Sequence, residues 1–304
     1  MDDESKRVAI SGASGLVGTA LSEHLTDHGW SVTPMVRHRD REGIYWSVDE
    51  ETVDVERLEG FDAVVHLAGE SIADGRWTDS HKEAVLKSRA QGTELISGAI
   101  ASLEDAPEVF ISSSGAHYYG ASKSDEWVDE DDEAATLGDT FLTEVCRQWE
   151  AACDPARDTC RVVNTRLAPV LSEQGGMLAK MLTPFKLGIG GRLGDGRQYM
   201  SWVVIDDVVR AMRFVLEHDE LEGPVNVAAP NPVTNREFTK TLGKVLSRPT
   251  LFPVPSPALK VMFGGQMAEE MMLNGQRVRP SRLVGAGFEF ENEEIGEALE
   301  ATVG

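Results

Sequence analysis

A short apolar run, Val8-Ala9-Ile10, leads straight into Gly12-Ala13-Ser14-Gly15-Leu16-Val17-Gly18, and Leu16, Val17, Ala20, Leu21 and Leu25 then recur at helical spacing as far as Gly29. Strand, glycine turn and helix in that order constrain the fold more than any other stretch. Glycine permits the sharp turn, lets a phosphate approach the backbone, and leaves helix N-terminal N–H groups free with their partial positive charge. The spacing is G-x-x-G-x-x-G rather than the commoner G-x-G-x-x-G, and it reads as a diphosphate cradle for a dinucleotide. The competing reading is a turn that uses glycine only for its shape. Cofactor contacts are expected from Gly12, Ser14, Gly15, Leu16, Val17 and Gly18.

Further strands are expected over 31–36, 62–68, 109–113 and 161–167, with helices from about Thr78 to Ala101 and from about Asp139 to Cys153. Strands alternating with helices predict an α/β protein of Rossmann type, a doubly wound parallel sheet. The polar, acidic stretch Ser122 to Glu133 reads as a loop. After about residue 170 the rhythm changes: Gly188 to Gly196 is glycine-rich, and seven prolines fall between Pro224 and Pro257. Residues 1–170 are therefore expected to form the dinucleotide domain, with a helix and strand near 205–230 returning to it. Residues 171–304 are expected to form a smaller, substrate-side lobe.

The end of the second strand selects the dinucleotide. An acid there would bind a ribose 2′-hydroxyl, whereas a base would meet a 2′-phosphate. The chain has Arg37-His38-Arg39 at this point, and the arginine fork suits phosphate. NADP(H) is expected in preference to NAD, with Arg37, His38 and Arg39 as contacts. The alternative is a solvated surface loop.

Charge narrows the partners. Fifty-one acids against 29 bases, of which 9 are lysine and 20 arginine, give a net charge of −22. Such a field repels nucleic acid and anionic lipid unless a local basic patch overrides it. Excess acid with scarce lysine resembles the surface of a salt-loving organism's protein, where molar salt screens self-repulsion. No apolar run is long enough to span a membrane, and the acidic N-terminus is unlike an export signal. Cys146, Cys153 and Cys160 lack metal-ligand spacing and read as core residues, so no metal site is expected. The expectation is a cytoplasmic protein with a small-molecule substrate, compatible with a homodimer.

Several blocks in order resemble the extended short-chain dehydrogenase/reductase family: Gly12, Gly15 and Gly18, then His66-Leu67-Ala68-Gly69, then Ser112-Ser113-Ser114 with Tyr119-Gly120. Gly69-Glu70-Ser71-Ile72, Arg76-Trp77-Thr78, Ser88-Arg89, Tyr118-Tyr119-Gly120, Trp149-Glu150, Gly190 to Gly196, Ser201-Trp202 and Asp206-Asp207 are similar to an atypical branch, epimerase-like proteins of unassigned substrate with their own C-terminal domain. Val204, where that branch commonly has histidine, and Ala168-Pro169 depart from its pattern. The resemblance implies cofactor contacts from Leu67, Ala68, Gly69, Glu70 and Arg89. It also implies a substrate-orienting Ser113 or Ser114, a phenolic acid at Tyr119 or Tyr118, and substrate contacts from Arg192 and Gln198.

Ordinary members of the family work with a Tyr and a Lys four apart on a helix, where the ammonium lowers the phenol pKa. Tyr119 and Lys123 have this spacing but begin five residues after Ser114, and the stretch Ser124 to Glu130 carries no helical apolar stripe. The next helix offers Phe141/Val145 and Leu142/Cys146, which cannot trade protons in that way. The usual pair is therefore expected to be missing. The functional expectation is an NADP-dependent oxidoreductase or epimerase acting on a small polar metabolite. A non-catalytic NADPH sensor is the second reading.

Overall fold

The computed structural model describes residues 5–304; the acidic stretch Met1–Glu4 lies outside the described residues. In the first half, β1 (Arg7–Ser11), α1 (Leu16–Asp27), β2 (Ser31–Val36), β3 (Ile44–Ser47), β4 (Thr52–Val53), β5 (Ala63–His66), α2 (Asp79–Ala101), β6 (Val109–Gly115), α3 (Phe141–Ala151) and β7 (Arg161–Leu167) follow one another. Then come α4 (Gly176–Lys186), α5 (Ile205–Glu217), β8 (Gly223–Val227), α6 (Asn235–Val245), α7 (Ser256–Phe263) and α8 (Ile295–Val303). The eight strands form one sheet in the order β8-β7-β6-β5-β1-β2-β3-β4. It is parallel apart from the antiparallel β3–β4 edge.

The sheet is buried on both faces, which is why its central strands read as unbroken apolar runs. Val8, Ile10, Val65, Ile111 and Val163 pack with Leu21 and Leu25 of α1 and with Val208, Met212 and Val215 of α5. Ala9, Val64, Phe110 and Val162 face the other way, against Ile96 and Ile100 of α2. Thr78 caps α2 by accepting from the His81 N–H, and Thr140 caps α3 by accepting from Thr143. The strand order reverses beside β1, and the crevice at the carboxyl ends of β1 and β5 is where open α/β sheets take ligands.

A second core gathers Leu171, Leu178 and Phe185 with Trp202, Phe238, Leu242, Ala298 and Leu299. Two tethers join later segments to helices α5 and α3. Asp207, fully buried on α5, accepts from the N–H groups of Glu291 and Asn292. Glu270, also buried, accepts from the N–H groups of Phe141 and Leu142, holding a carboxylate against the positive end of α3.

The stretch Ser122–Glu133 is mostly loop, as expected, but two of its residues join a strand pair and Val128 and Glu130 are buried. Trp127–Val128 pairs in parallel with Arg277–Val278. Glu130 is buried and accepts from the N–H groups of Asn226, Ser281 and Arg282. Partners about a hundred or more residues away supply the bonds that permit this burial.

Candidate functional site at the glycine turn

The turn is shaped by close approach. Gly12 has φ +70°, and a Cβ on it would lie 2.8 Å from the Ala68 nitrogen. A Cβ on Gly18 would lie 2.1 Å from the Gly12 oxygen, so α1 can start here only with glycine at both positions. The Gly15 N–H donates to the Gly12 oxygen at 2.9 Å, and Gly15 caps α1 without a side-chain acceptor. The first N–H groups of α1, from Leu16 onward, thus have no partner in the helix. Ser14 is exposed, Val17 packs against the core, and Leu16 touches the Gly175 corner.

Ser11 fixes the facing wall. Its hydroxyl accepts from the N–H groups of Leu67 and Ala68, and so donates to His66 Nδ1 at 2.5 Å. His66 is fully buried, edge-on to Trp46. Burial, with the nearby Arg89 charge, drives its pKa down to about 3, so it is neutral. Sequence reasoning gave no role to Ser11 or to the His66 ring, although both stand at ends of apolar strands.

Ser88 and Arg89 clamp the next two residues. Ser88 Oγ accepts from the Glu70 N–H, and Arg89 Nη1 donates to the Glu70 oxygen at 2.8 Å. Arg89 is buried behind Gly69, its guanidinium 4.9 Å from the Trp149 ring centroid. Burial lowers its pKa to about 10, and no carboxylate pairs with it among the described residues. Glu70 is exposed. Arg37 and His38 are exposed just past β2. Arg39 is exposed too, with its guanidinium paired to Glu50 at 2.7 Å and stacked on Tyr45.

The serine and tyrosine cluster separates into two roles. Ser113 is buried with a hydroxyl that has no partner among the described residues. Ser114, by contrast, donates to Glu150 at 2.7 Å, so its expected substrate contact gives way to a structural bond. Glu150 holds Arg166 through two bonds of 2.9 Å each. Arg166 Nη1 donates to the Tyr119 hydroxyl, which donates to Asn226 Oδ1 at 2.8 Å. Burial would lower the Arg166 pKa, but Glu150 overrides it and holds the guanidinium charged. Tyr119 is fully enclosed, and burial pushes its phenol well above the usual value despite Arg166. Tyr118 is only half-buried, its ring on the Arg166 guanidinium at 3.4 Å.

The remaining candidates take these places. Gly120, at φ +84°, ends the short helical turn Ala116–Tyr119. Tyr119 therefore points inward while Lys123 is exposed and pairs with Asp195 at 3.3 Å. Gln198 is buried and donates to the Leu193 and Met272 oxygens, so it braces the lobe rather than facing solvent. Arg192 is half-buried, with its stem against Gly196. A groove of about 620 Å³ lies away from all these residues, between Val48–Val55 and the Gln91–Ala99 part of α2.

Residues 8–228 match the NAD dependent epimerase/dehydratase family, and residues 254–302 match a domain of unknown function, DUF1731. The chain belongs to the NAD dependent epimerase/dehydratase family. Within it, the chain is 43% identical over 295 residues to an epimerase family protein of Mycobacterium bovis, covering 96% of each. It is 36% identical to human epimerase family protein SDR39U1, covering 98% of this chain and 99% of that one. The crystal structure of human SDR39U1 (isoform 2) with NADPH superposes with a TM-score of 0.89 at 34% identity over 97% of this chain and 98% of that one. A Corynebacterium glutamicum nucleoside-diphosphate sugar epimerase matches at TM-score 0.80 and 34% identity; this chain covers 58% of it. The atypical epimerase-like branch with its C-terminal domain is thus the right relation, as its motif blocks implied.

Proposed function

We propose that this epimerase-family protein binds NADP(H) across the carboxyl edge of β1 and β5 and uses it in oxidoreductase or epimerase chemistry on a small polar metabolite. The observation that carries the reading is the cradle at Gly12 and Gly18, two places where a Cβ would collide with backbone, with unpartnered helix N–H groups between them. The likeness to human SDR39U1, whose structure holds NADPH, supports it. The diphosphate would lie on the N–H groups of Leu16 and Val17, and Arg37 would meet the 2′-phosphate. Leu67, Ala68 and Gly69 would line the edge, kept in place by Ser11, Ser88 and Arg89. The bound nicotinamide would give or take the hydride. Thermal unfolding in molar KCl tests the binding: NADPH at a hundred times its Kd should add about 2.7 kcal/mol, a rise of a few degrees, and NADH much less. No shift with either nucleotide would leave the turn a structural feature.

On the substrate side we assign the proton to Tyr118 and substrate orientation to Ser113, without a helix Tyr–Lys pair. Tyr118 is only half-buried, with its ring on the Arg166 guanidinium, while the Tyr119 hydroxyl is closed off by Arg166 and Asn226. Tyr118→Phe should lower turnover by about a hundredfold or more, the usual weight of a general acid, with NADPH affinity unchanged. Tyr119→Phe should keep the chemistry and cost about 1–3 kcal/mol of stability through the unpaired Arg166 and Asn226 groups. The reverse pattern would return the acid to Tyr119. The separation of Lys123 from Tyr119 also favours the sensor reading, which gains if no carbonyl metabolite oxidises bound NADPH and a partner distinguishes NADPH from NADP+. The acid-rich, lysine-poor composition supports molar salt as the working medium.

A further inference from the structure

The charge of −22 is not spread evenly. Residues 176–205 and 235–268 carry nine lysines and arginines against two acids, Asp195 and Glu237. The fold brings parts of these two segments side by side. Arg248 Nε donates to the Lys186 oxygen, the Val254 N–H donates to the Arg192 oxygen, and Gly191 packs on the Phe252 carbonyl. Leu187 and Ile189 on one segment, and Leu251 and Phe252 on the other, stand on this ridge. Helix α7, packed on Leu193 and Val254 through Leu259, carries two further exposed apolar side chains, Val261 and Met262. All six are exposed, from 60% for Met262 to 78% for Leu251.

The cations here are unusual for this protein. Lys186, Lys240, Lys244 and Arg248 are exposed and belong to no ion pair among the described residues, although acids outnumber bases by 22 in the whole chain. Large apolar tips beside unpaired cations satisfy neither water nor the rest of this surface. They do match an anionic lipid interface, where aliphatic and aromatic side chains enter the acyl boundary and Lys or Arg meets the headgroups. A second copy fits less well, because a two-fold contact sets the same basic patch against itself.

We propose that the ridge of Leu187, Ile189, Leu251 and Phe252, flanked by Lys186 and Arg248, docks the protein on an anionic bilayer surface. The proposed contact is peripheral: among the described residues no helix is long and apolar enough to cross a membrane. The local basic patch overrides the repulsion that the net charge implies.

The test is flotation of the full chain with vesicles of phosphatidylglycerol and phosphatidylcholine, against phosphatidylcholine alone, at low and at molar KCl. Binding should favour the anionic vesicles, and that preference should narrow as salt screens the charges. Leu251→Glu/Phe252→Glu should lower the bound fraction about tenfold or more while leaving the unfolding temperature unchanged. Wild-type protein that stays unbound, or a double variant that binds equally well, would overturn the proposal. Binding to poly-glutamate but not to vesicles would overturn it in favour of an acidic protein partner. A wild-type dimer that the double variant converts to monomer would overturn it in favour of self-association.

Discussion

Arg166→Met is expected to destabilise the protein by about 3–5 kcal/mol, because it strands a buried carboxylate. Glu150 and Arg166 have side chains only 11% and 3% exposed. The guanidinium also satisfies the Tyr119 hydroxyl, and Glu150 also accepts from Ser114. Removing the cation therefore leaves a charge and a phenol without a donor in a low-dielectric interior. Glu150→Gln combined with Arg166→Met should recover part of the loss, since neither residue then carries charge. Denaturant unfolding in molar KCl measures both variants. A single variant within about 1 kcal/mol of wild type would mean that water reaches Glu150 and that the network carries little.

The second large effect is acid sensitivity. His66 has a folded pKa of about 3, against about 6.5 for an unfolded histidine. Between these values the unfolded chain holds one proton more, so stability is full above about pH 6.5 and falls as pH drops. The loss is about 1.4 kcal/mol per pH unit, roughly 3 kcal/mol by pH 4.5. Protonation is opposed structurally: the Ser11 hydroxyl already points at Nδ1, and the Arg89 charge lies nearby. His117, whose pKa burial lowers to about 4, adds a change of the same sign. Unfolding followed from pH 7.5 to 4.5 should show the slope, and His66→Asn should reduce it. An unchanged slope in that variant would place the acid sensitivity elsewhere.

The parts of the fold that were legible in the sequence are those whose signals are local. The β1 turn, the start of α2 at about Thr78 and the run Arg161–Leu167 each carry their pattern within a few neighbouring residues, and the structure keeps all three. The illegible parts depend on distant partners. Glu130 looks like one acid among many in a polar stretch until Ser281 and Arg282 close on it. Glu270 has no mark in sequence that would send it to the start of α3, 128 residues away. Arg166 sits in a buried strand, and nothing near it in sequence names Glu150 as the acid that holds it. Tyr118 and Tyr119 are adjacent, and only the positive φ of Gly120 and the reach of Arg166 decide which phenol is closed off. The site was thus readable as a cofactor cradle, while the division of labour among its hydroxyls required coordinates.

The most direct test of the central claim is a calorimetric titration of NADPH and NADH into wild-type protein and into Arg37→Glu, in molar KCl. Wild type should prefer NADPH by about tenfold or more, from a charge-assisted contact worth about 1.5–3 kcal/mol. The variant should lose that preference and keep its affinity for NADH, because the glycine cradle is untouched. Equal affinities in wild type, or a preference that survives in Arg37→Glu, would contradict the assignment of the 2′-phosphate to this arginine. Absence of binding by either nucleotide would contradict the cofactor reading itself.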